Sequence, residues 1–134
     1  MDKMRHEPVL EIGGLSVSFF DRVVLCDVNL SVPQGGIAVL VGRSGSGKTT
    51  LLRAVNRLND EVPGCRATGR VTLRLAGGAV EAFPGSGPDA VPLQELRRRV
   101  GMVFQTPQVF PASVYRNIAA PLSVTMNCPR SELD

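Results

Sequence analysis

The residues with the clearest potential for chemistry lie in one short glycine-rich stretch, residues 42–50. They read Gly-Arg-Ser-Gly-Ser-Gly-Lys-Thr-Thr and fit the phosphate-binding pattern G-x-x-x-x-G-K-S/T. Glycines let a backbone turn tightly, so that successive N–H groups point at phosphate oxygens. In this pattern Lys48 reaches the β- and γ-phosphates, and the Thr49 hydroxyl binds Mg²⁺. The residues predicted to surround the phosphates are Gly42, Arg43, Ser44, Gly45, Ser46, Gly47, Lys48, Thr49 and Thr50.

The segments on either side of this loop are those that a phosphate site requires. Residues 36–41 form a continuous apolar run, which is typical of a parallel strand buried on both faces. After the loop, Leu51, Val55 and Leu58 recur at helical spacing. A helix that begins near Lys48 adds the positive end of its dipole to the loop. The order strand, loop and helix favours a nucleotide site over a glycine-rich turn without a ligand.

The composition describes a globular protein with a core and gives no sign of nucleic acid binding. The chain has 134 residues, of which 43% are hydrophobic and 20% charged, enough for one domain or most of one. A net charge of +3 and an aromatic content of 4% argue against a nucleic acid partner. The only basic run, residues 97–99, is interpreted as the solvated face of a short helix rather than an anion site. No apolar stretch approaches the ~18 residues that span a bilayer, so membrane association would come through a partner.

The cysteines and the histidine add no chemistry. Cys26, Cys65 and Cys128 are odd in number and far apart, without a spacing that suits zinc. No secretory signal accompanies them, so reduced thiols in the cytosol fit best. His6, the only histidine, lies near the N-terminus, and no role is assigned to it.

Several apolar patterns predict the elements that position the loop. Residues 9–20 indicate a strand pair interrupted by Gly13-Gly14, and further strands are expected near residues 28–32 and 71–75. Segments without such a pattern, residues 56–69 and 76–92, are expected to be connections. A short helix is expected near residues 93–99, a buried strand at 100–104, and a helix capped by Ser113 and ended by Pro121.

Phe20 is an aromatic residue on the polar face of its strand, directly before a turn at Asp21-Arg22. Such a ring could stack on a planar base, or it could be a partly covered surface phenylalanine. Parity along the strand does not decide between the two.

These patterns together predict an α/β fold. The strands at residues 36–41 and 100–104 are expected in one mostly parallel core sheet, with the helix that begins near Lys48 packed on it. The strands before residue 36 are expected to form a smaller antiparallel sheet.

These pieces, in this order, resemble the nucleotide-binding subunit of an ABC transporter over residues 9–122. Residues 42–50 match that family's Walker A motif, and residues 100–105 look like the strand that leads to its Q-loop glutamine. The resemblance implies a P-loop NTPase core sheet of the ABC ATPase type with an N-terminal antiparallel β subdomain. It also implies ATP and Mg²⁺ as cofactors.

The same resemblance implies roles for single residues. Phe20 would stack on adenine, although glycine usually follows that aromatic in the family and Asp21 stands here. Lys48 and Gln105 would be catalytic, and Thr49 and Gln105 would contact Mg²⁺. The implied partners are the transmembrane permease subunits of an importer and a second ATP-binding subunit in a dimer. The implied location is the cytoplasmic face of the plasma (inner) membrane.

A narrower resemblance is to the ATPase of the bacterial phosphate-specific import system. It rests on residues 52–64, 96–105 and 110–118, several of which have no role in nucleotide binding. The glycine- and proline-rich residues 76–92 differ from the acidic segment usual in that group, and Arg116 stands where an acid is often found. Phosphate as cargo is implied by this resemblance alone.

Parts of the family's catalytic site have no counterpart in the 134 residues. No Asp-Glu pair follows an apolar strand, and neither a signature sequence nor a switch histidine is found; the carboxylates of Glu95, Glu132 and Asp134 do not follow apolar strands. We therefore interpret residues 8–35 as the antiparallel β subdomain, 36–122 as the core from P-loop to Q-loop, and 123–134 as the start of a helical subdomain. The whole, residues 1–134, would be the N-terminal portion of one ABC ATPase domain, and we expect it to bind nucleotide weakly without turnover.

Three functions remain open on the sequence. The first is the N-terminal part of an ABC ATPase that drives phosphate import. A variant of this first function is an ABC ATPase for another solute. The second function is a non-catalytic module that binds nucleotide or a transporter subunit. The third, a different P-loop enzyme such as a small-molecule kinase, is disfavoured by the strands that precede the loop.

Overall fold

The computed structural model describes residues 7–75, 78–83 and 90–125 of the chain. Its regular elements, in chain order, are β1 (Pro8–Phe19), β2 (Arg22–Pro33), α1 (Lys48–Val55), a short 3-10 helix (Leu58–Glu61), β3 (Cys65–Leu75), β4 (Gly78–Phe83), α2 (Leu93–Arg99) and α3 (Val114–Thr125).

The four strands form one antiparallel sheet in the order β2-β1-β3-β4. The antiparallel sheet expected from the sequence is present, but it is larger than predicted. The expected strand pair at residues 9–20 is the single strand β1, in which the register with β3 shifts between Gly13 and Ser16. In addition, β3 begins at Cys65 and β4 occupies Gly78–Phe83, within segments that we had expected to be connections.

One apolar cluster joins this sheet to two helices. The sheet contributes buried side chains, such as Ile12 and Val17 of β1 and Val71 of β3, which are 0–2% exposed. The helix α1 adds Leu51 to the same cluster, and α2 adds Leu96, which is fully buried. Because Leu51 of α1 packs in the same cluster as the sheet residues, the sheet supports α1, the helix to which the glycine-rich loop is attached.

The predicted parallel core sheet is not present among the described residues. Residues 36–43 and 100–104 belong to no strand, and Ile37, Val41 and Val103 are 93%, 91% and 98% exposed. A strand buried on both faces needs neighbouring strands to pair its backbone and layers to cover its side chains. All four described strands lie in the antiparallel sheet, so none of them pairs with residues 36–43 or 100–104.

The chain divides into two compact units, residues 1–101 and 102–134. In the second unit Ser113 caps α3 as expected, since its Oγ accepts a hydrogen bond from the Arg116 N–H at 3.3 Å. Pro121 does not end this helix, which continues to Thr125. Within the described ranges, no helix is both long and apolar enough to cross a membrane.

Candidate functional site

The glycine-rich loop closes through a tight turn directly before α1. The Ser46 N–H donates to the Arg43 carbonyl at 3.2 Å, and Gly45 at the third position of this turn has a φ of 77°. A turn with positive φ at that position favours glycine strongly. The first hydrogen bond of α1 follows at once, from the Leu51 N–H to the Gly47 carbonyl at 2.9 Å. The loop therefore delivers the chain into the helix at Lys48.

Gly47 anchors the end of the loop on β2. Its φ is 91°, and it is buried. A Cβ atom at this position would lie 2.9 Å from Leu25 Cδ2 and 3.2 Å from the Val24 carbonyl oxygen. Two separate requirements thus select glycine, the left-handed backbone and the close approach to the strand.

The Lys48 side chain reaches back over the loop. Its Nζ donates to the carbonyl oxygens of Gly42 and Arg43 at 2.8 Å each and lies 3.4 Å from Ser46 Oγ. The residues from Gly42 to Ser46 are exposed, so this ammonium group lies beside a solvent-accessible loop rather than in a packed interior. The Lys48 ammonium group uses its donors within the loop, and its positive charge beside a helix N-terminus is an arrangement that favours an anion.

The loop residues fit a polyphosphate with its magnesium ion. Thr49 is exposed at the second position of α1, where its hydroxyl is accessible to a metal. Over the described ranges, no group of three or more His, Cys, Asp or Glu side chains could hold a metal ion. Mg²⁺ commonly binds through one or two protein ligands with phosphate oxygens and waters, so one hydroxyl beside a phosphate site is compatible with it.

Phe20 occupies the two-residue loop of the β1–β2 hairpin. Phe19 pairs with Arg22 across the hairpin, which leaves Phe20 and Asp21 as the loop. Phe20 has a φ of 51°, and its N–H donates to the Gly64 carbonyl at 2.8 Å. The residue is 70% exposed, so its ring is available to a ligand. A positive φ at the first loop position suits the twist of a hairpin. In this hairpin the first loop position is Phe20 itself, and Asp21 is the second.

The strand β2 joins Phe20 to the loop. Gly47 contacts Val24 and Leu25, and Val24 follows Phe20 by four residues. At about 3.3 Å per residue, Phe20 lies within roughly 13 Å of Val24, the residue of β2 that Gly47 approaches. Gln105 is exposed and belongs to the second unit, so its position is described only within that unit.

A polar network at the other end of α1 was missed in the sequence. Arg97 of α2 donates from Nη2 to the Arg57 carbonyl at 3.0 Å and from Nε to the Asn56 carbonyl at 3.3 Å, and it pairs with Glu61. Buried Asn59 donates from Nδ2 to the Thr50 carbonyl at 2.8 Å. The expectation of a solvated arginine face is therefore wrong for Arg97. The run of three arginines did not indicate these contacts, because partners about 40 residues away in the sequence leave no local pattern.

A hollow of about 490 Å³ lies elsewhere, on the sheet. Its lining consists of Glu11, Gly13, Gly69, Arg70 and Thr72, none of which belongs to the glycine-rich loop. Arg70 is already paired with Glu81 at 3.2 Å. We assign no ligand to this hollow, and the loop remains the candidate site because it brings Lys48 and Thr49 to the N-terminal end of α1.

A protein-family model described as ABC transporter matches residues 25–132, well over half of the chain. The class of protein is thus that of ABC transporter ATPases. The chain belongs to the ABC transporter family and is an ATP-binding subunit of an ABC transporter, as the resemblance implied. Members of this family are ATPases that generally use ATP with Mg²⁺ and usually work with transmembrane subunits. Phe20 precedes the matched residues.

Proposed function

We propose that residues 42–50 bind the triphosphate of ATP in an importer that couples ATP hydrolysis to uptake of inorganic phosphate. The position of Lys48 is the observation that supports the nucleotide site most. Its Nζ lies 2.8 Å from two carbonyl oxygens of the loop, those of Gly42 and Arg43. These carbonyls place the ammonium group at the edge of the loop, where it can turn its donors to a phosphate oxygen.

Each residue of the loop has a role in this proposal. The N–H groups of residues 43–50 other than that of Ser46 surround the phosphates, and Lys48 stabilises the charge that develops on the γ-phosphoryl group. Thr49 would be one protein ligand of Mg²⁺, which when bound would neutralise charge on the phosphate oxygens. The family resemblance gives Gln105 the role of a second metal ligand that would also orient the attacking water, which makes it the second catalytic residue of our assignment.

Phe20 completes the nucleotide site by stacking on adenine. Its exposed ring and its connection to the loop through β2 support this role. Stacking on an aromatic ring is favourable for any base, since it uses the π-face rather than base-specific hydrogen bonds. We therefore expect Phe20 to strengthen ATP binding without selecting strictly for adenine.

Phosphate as the transported solute is supported by residues that do not contact nucleotide. Asn56, Asn59 and Arg97 fall within the segments that are similar to phosphate-import ATPases, and they join the end of α1 to α2. These residues define a particular scaffold, so sharing them speaks for the subfamily.

Uptake of radioactive phosphate tests this cargo. A host that lacks the gene for this protein would be complemented with the intact gene or with its Lys48→Ala variant. We expect phosphate uptake to return only with the intact gene. Restored uptake of a different solute, with phosphate uptake unchanged, would point to an ABC ATPase for that solute instead.

A non-catalytic role for residues 1–134 is the second candidate function. Glu95 is paired with Arg99 at 2.7 Å on α2 and is not placed to activate water, while Glu132 and Asp134 lie outside the described residues. We expect residues 1–134 to release phosphate from ATP no faster than the Lys48→Ala variant does. Turnover well above that variant would show that the 134 residues contain a complete catalytic site.

The partners follow from the proposed importer. We place the protein at the cytoplasmic face of the plasma (inner) membrane, where it associates peripherally with permease subunits and with a second ATP-binding subunit. Co-purification of the permease subunits with a tagged protein from membranes would test this assembly. Recovery of the tagged protein from the membrane fraction without any permease would contradict it.

A further inference from the structure

Gly64 lies directly beneath the ring of Phe20. A Cβ atom built on Gly64 would be 2.6 Å from Cδ1, 2.6 Å from Cε1 and 2.8 Å from Cγ of that ring. Because these three consecutive ring atoms are nearly equidistant from the built atom, it would lie over the face of the ring and not beside its edge. Only a residue without a Cβ can take this position while the ring stays where it is.

The same two residues are joined through their backbones. The Phe20 N–H donates to the Gly64 carbonyl at 2.8 Å, and the neighbouring pair, Phe19 and Cys65, belongs to the β1–β3 ladder. The ring is therefore attached to a turn whose own position is fixed by the sheet. Since Gly64 covers one face of the ring and Phe20 is 70% exposed, the opposite face is open to solvent.

This contact has a cost in backbone conformation. Phe20 has a φ of 51°, an uncommon value for a bulky residue, and Gly64 has a φ of 74°. Strained backbone of this kind persists where the surrounding structure holds it and is concentrated at ligand sites. The hydrogen bond and the ring contact together hold Phe20 in this conformation.

We propose that Gly64 is a positioning residue for binding of the nucleotide base. It backs one face of the Phe20 ring so that the other face is presented, already oriented, to a purine. A ring that is held before binding loses less conformational freedom when the base stacks on it, so affinity rises. This role rests on the proposed function, because it requires ATP to bind with its base at Phe20.

The test compares Gly64→Ala with Gly35→Ala in residues 1–134. Gly35 is a matched control because its φ of 72° is nearly the same, and a Cβ there would have no neighbour within 4 Å. Two ligands are titrated, Mg-ATP and Mg-tripolyphosphate, of which only the first has a base. We expect Gly64→Ala to weaken Mg-ATP binding about tenfold relative to Gly35→Ala, or about 1.4 kcal/mol, with tripolyphosphate binding unchanged.

The role of Phe20 is tested by combining the substitutions. If Gly64 acts through the ring, Gly64→Ala will cause no further loss of ATP affinity in a Phe20→Leu protein. Equal weakening of both ligands by Gly64→Ala, or unchanged ATP affinity, would overturn the positioning role while leaving the phosphate site intact. A wild-type protein that binds tripolyphosphate and ATP equally well would overturn the role of Phe20 as well. Failure to bind either ligand would contradict the proposed function itself.

An NMR measurement on the wild-type protein covers the case in which Gly64→Ala does not fold. We expect nuclear Overhauser effects between the Phe20 ring and the Gly64 α-protons, both without nucleotide and with saturating Mg-ATP. With ATP, the adenine protons should contact the same ring. Loss of the Gly64 contacts when ATP binds would overturn the proposal, since the ring would then have left its support.

Discussion

Gly47 is the residue at which the glycine-rich loop packs against the sheet. Its backbone is left-handed, with a φ of 91°, and its α-carbon approaches Leu25 and Val24 closely. Gly45 has a similar φ of 77° but no atom within 4 Å of a built Cβ. Substituting alanine at each glycine therefore separates the cost of a left-handed backbone, which both positions share, from the cost of a steric clash, which only Gly47 has.

We predict that Gly47→Ala destabilises the protein more than Gly45→Ala does. A left-handed alanine costs about 1–2 kcal/mol at either position, and overpacking against β2 adds about 1–3 kcal/mol at Gly47 only. The midpoints of urea unfolding for the two variants and the wild type measure this difference. Equal midpoints for the two variants would show that β2 accommodates a methyl group at residue 47 without a steric cost.

Cys65 and Cys26 are predicted to differ in thiol reactivity. Burial raises the pKa of the Cys65 thiol, and the nearby Asp60 carboxylate raises this pKa further, whereas Cys26 is exposed. Because the thiolate is the reactive form, iodoacetamide at pH 8 should modify Cys26 well before Cys65. Peptide mass spectrometry at successive times measures both rates, and faster modification of Cys65 would contradict the prediction.

The raised pKa of Cys65 also makes the stability of the fold depend on pH. The folded state holds this proton more tightly than the unfolded state does. The thiol therefore stabilises the fold below its unfolded pKa, and that contribution is lost as the pH rises through the folded pKa.

At the scale of elements, Arg97 links the end of α1 to α2. Its guanidinium group donates to the Asn56 and Arg57 carbonyls, which are orphan acceptors past the last turn of α1, and pairs with Glu61. Arg98, its neighbour on α2, is exposed and is the matched control.

We predict that Arg97→Ala lowers the free energy of unfolding by about 1–3 kcal/mol, because two partly buried carbonyls lose their donor. Arg98→Ala should change it by less than about 0.5 kcal/mol, as is usual for exposed positions. Thermal unfolding followed by circular dichroism compares the two. An Arg97→Ala protein that unfolds with the same free energy as the wild type would mean that the network around Arg97 does not stabilise the protein.

Local patterns predicted elements whose neighbours are also local. The alternation in β1 and β2, the helical spacing in α1 and the serine cap of α3 were all visible in the sequence. The strand β4 was hidden because glycine and proline residues surround its Val80 and Ala82. The parallel strands were expected from apolar runs alone, yet a strand forms only with a neighbour to pair with.

The chemistry proposed for the candidate site comes from the sequence, and the contacts that support the site come from the structure. The loop motif predicts roles for Lys48 and Thr49, since residue type and spacing carry that information. The backing of Phe20 by Gly64 and the contact of Gly47 with β2 join residues distant in sequence. A single sequence does not reveal such contacts, because no periodic pattern of residues connects the two partners.

On the scale of the whole molecule, residues 36–41 present an uncovered apolar segment. Ile37, Val39 and Val41 are 93%, 77% and 91% exposed, and the segment lies in no strand. An exposed apolar segment that lies outside any sheet is a surface for association between chains.

We predict that residues 1–134 self-associate as their concentration rises and that Ile37→Lys with Val39→Lys reduces this association. Charges on such a segment oppose pairing with a second chain. Light scattering over a concentration series measures the effect, and Val23→Lys, at an exposed position of β2, is the control. Equal association of the double variant and the wild type would show that another surface is responsible.

The central claim is that the loop at residues 42–50 binds the phosphates of ATP, and isothermal titration of residues 1–134 with Mg-ATP tests it most directly. The Lys48→Ala variant is the comparison, because it removes the donor that contacts Gly42 and Arg43. We predict measurable binding by the wild type and at least about tenfold weaker binding by the variant, equal to about 1.4 kcal/mol. Equal affinities, or no binding by the wild type at millimolar Mg-ATP, would contradict the claim.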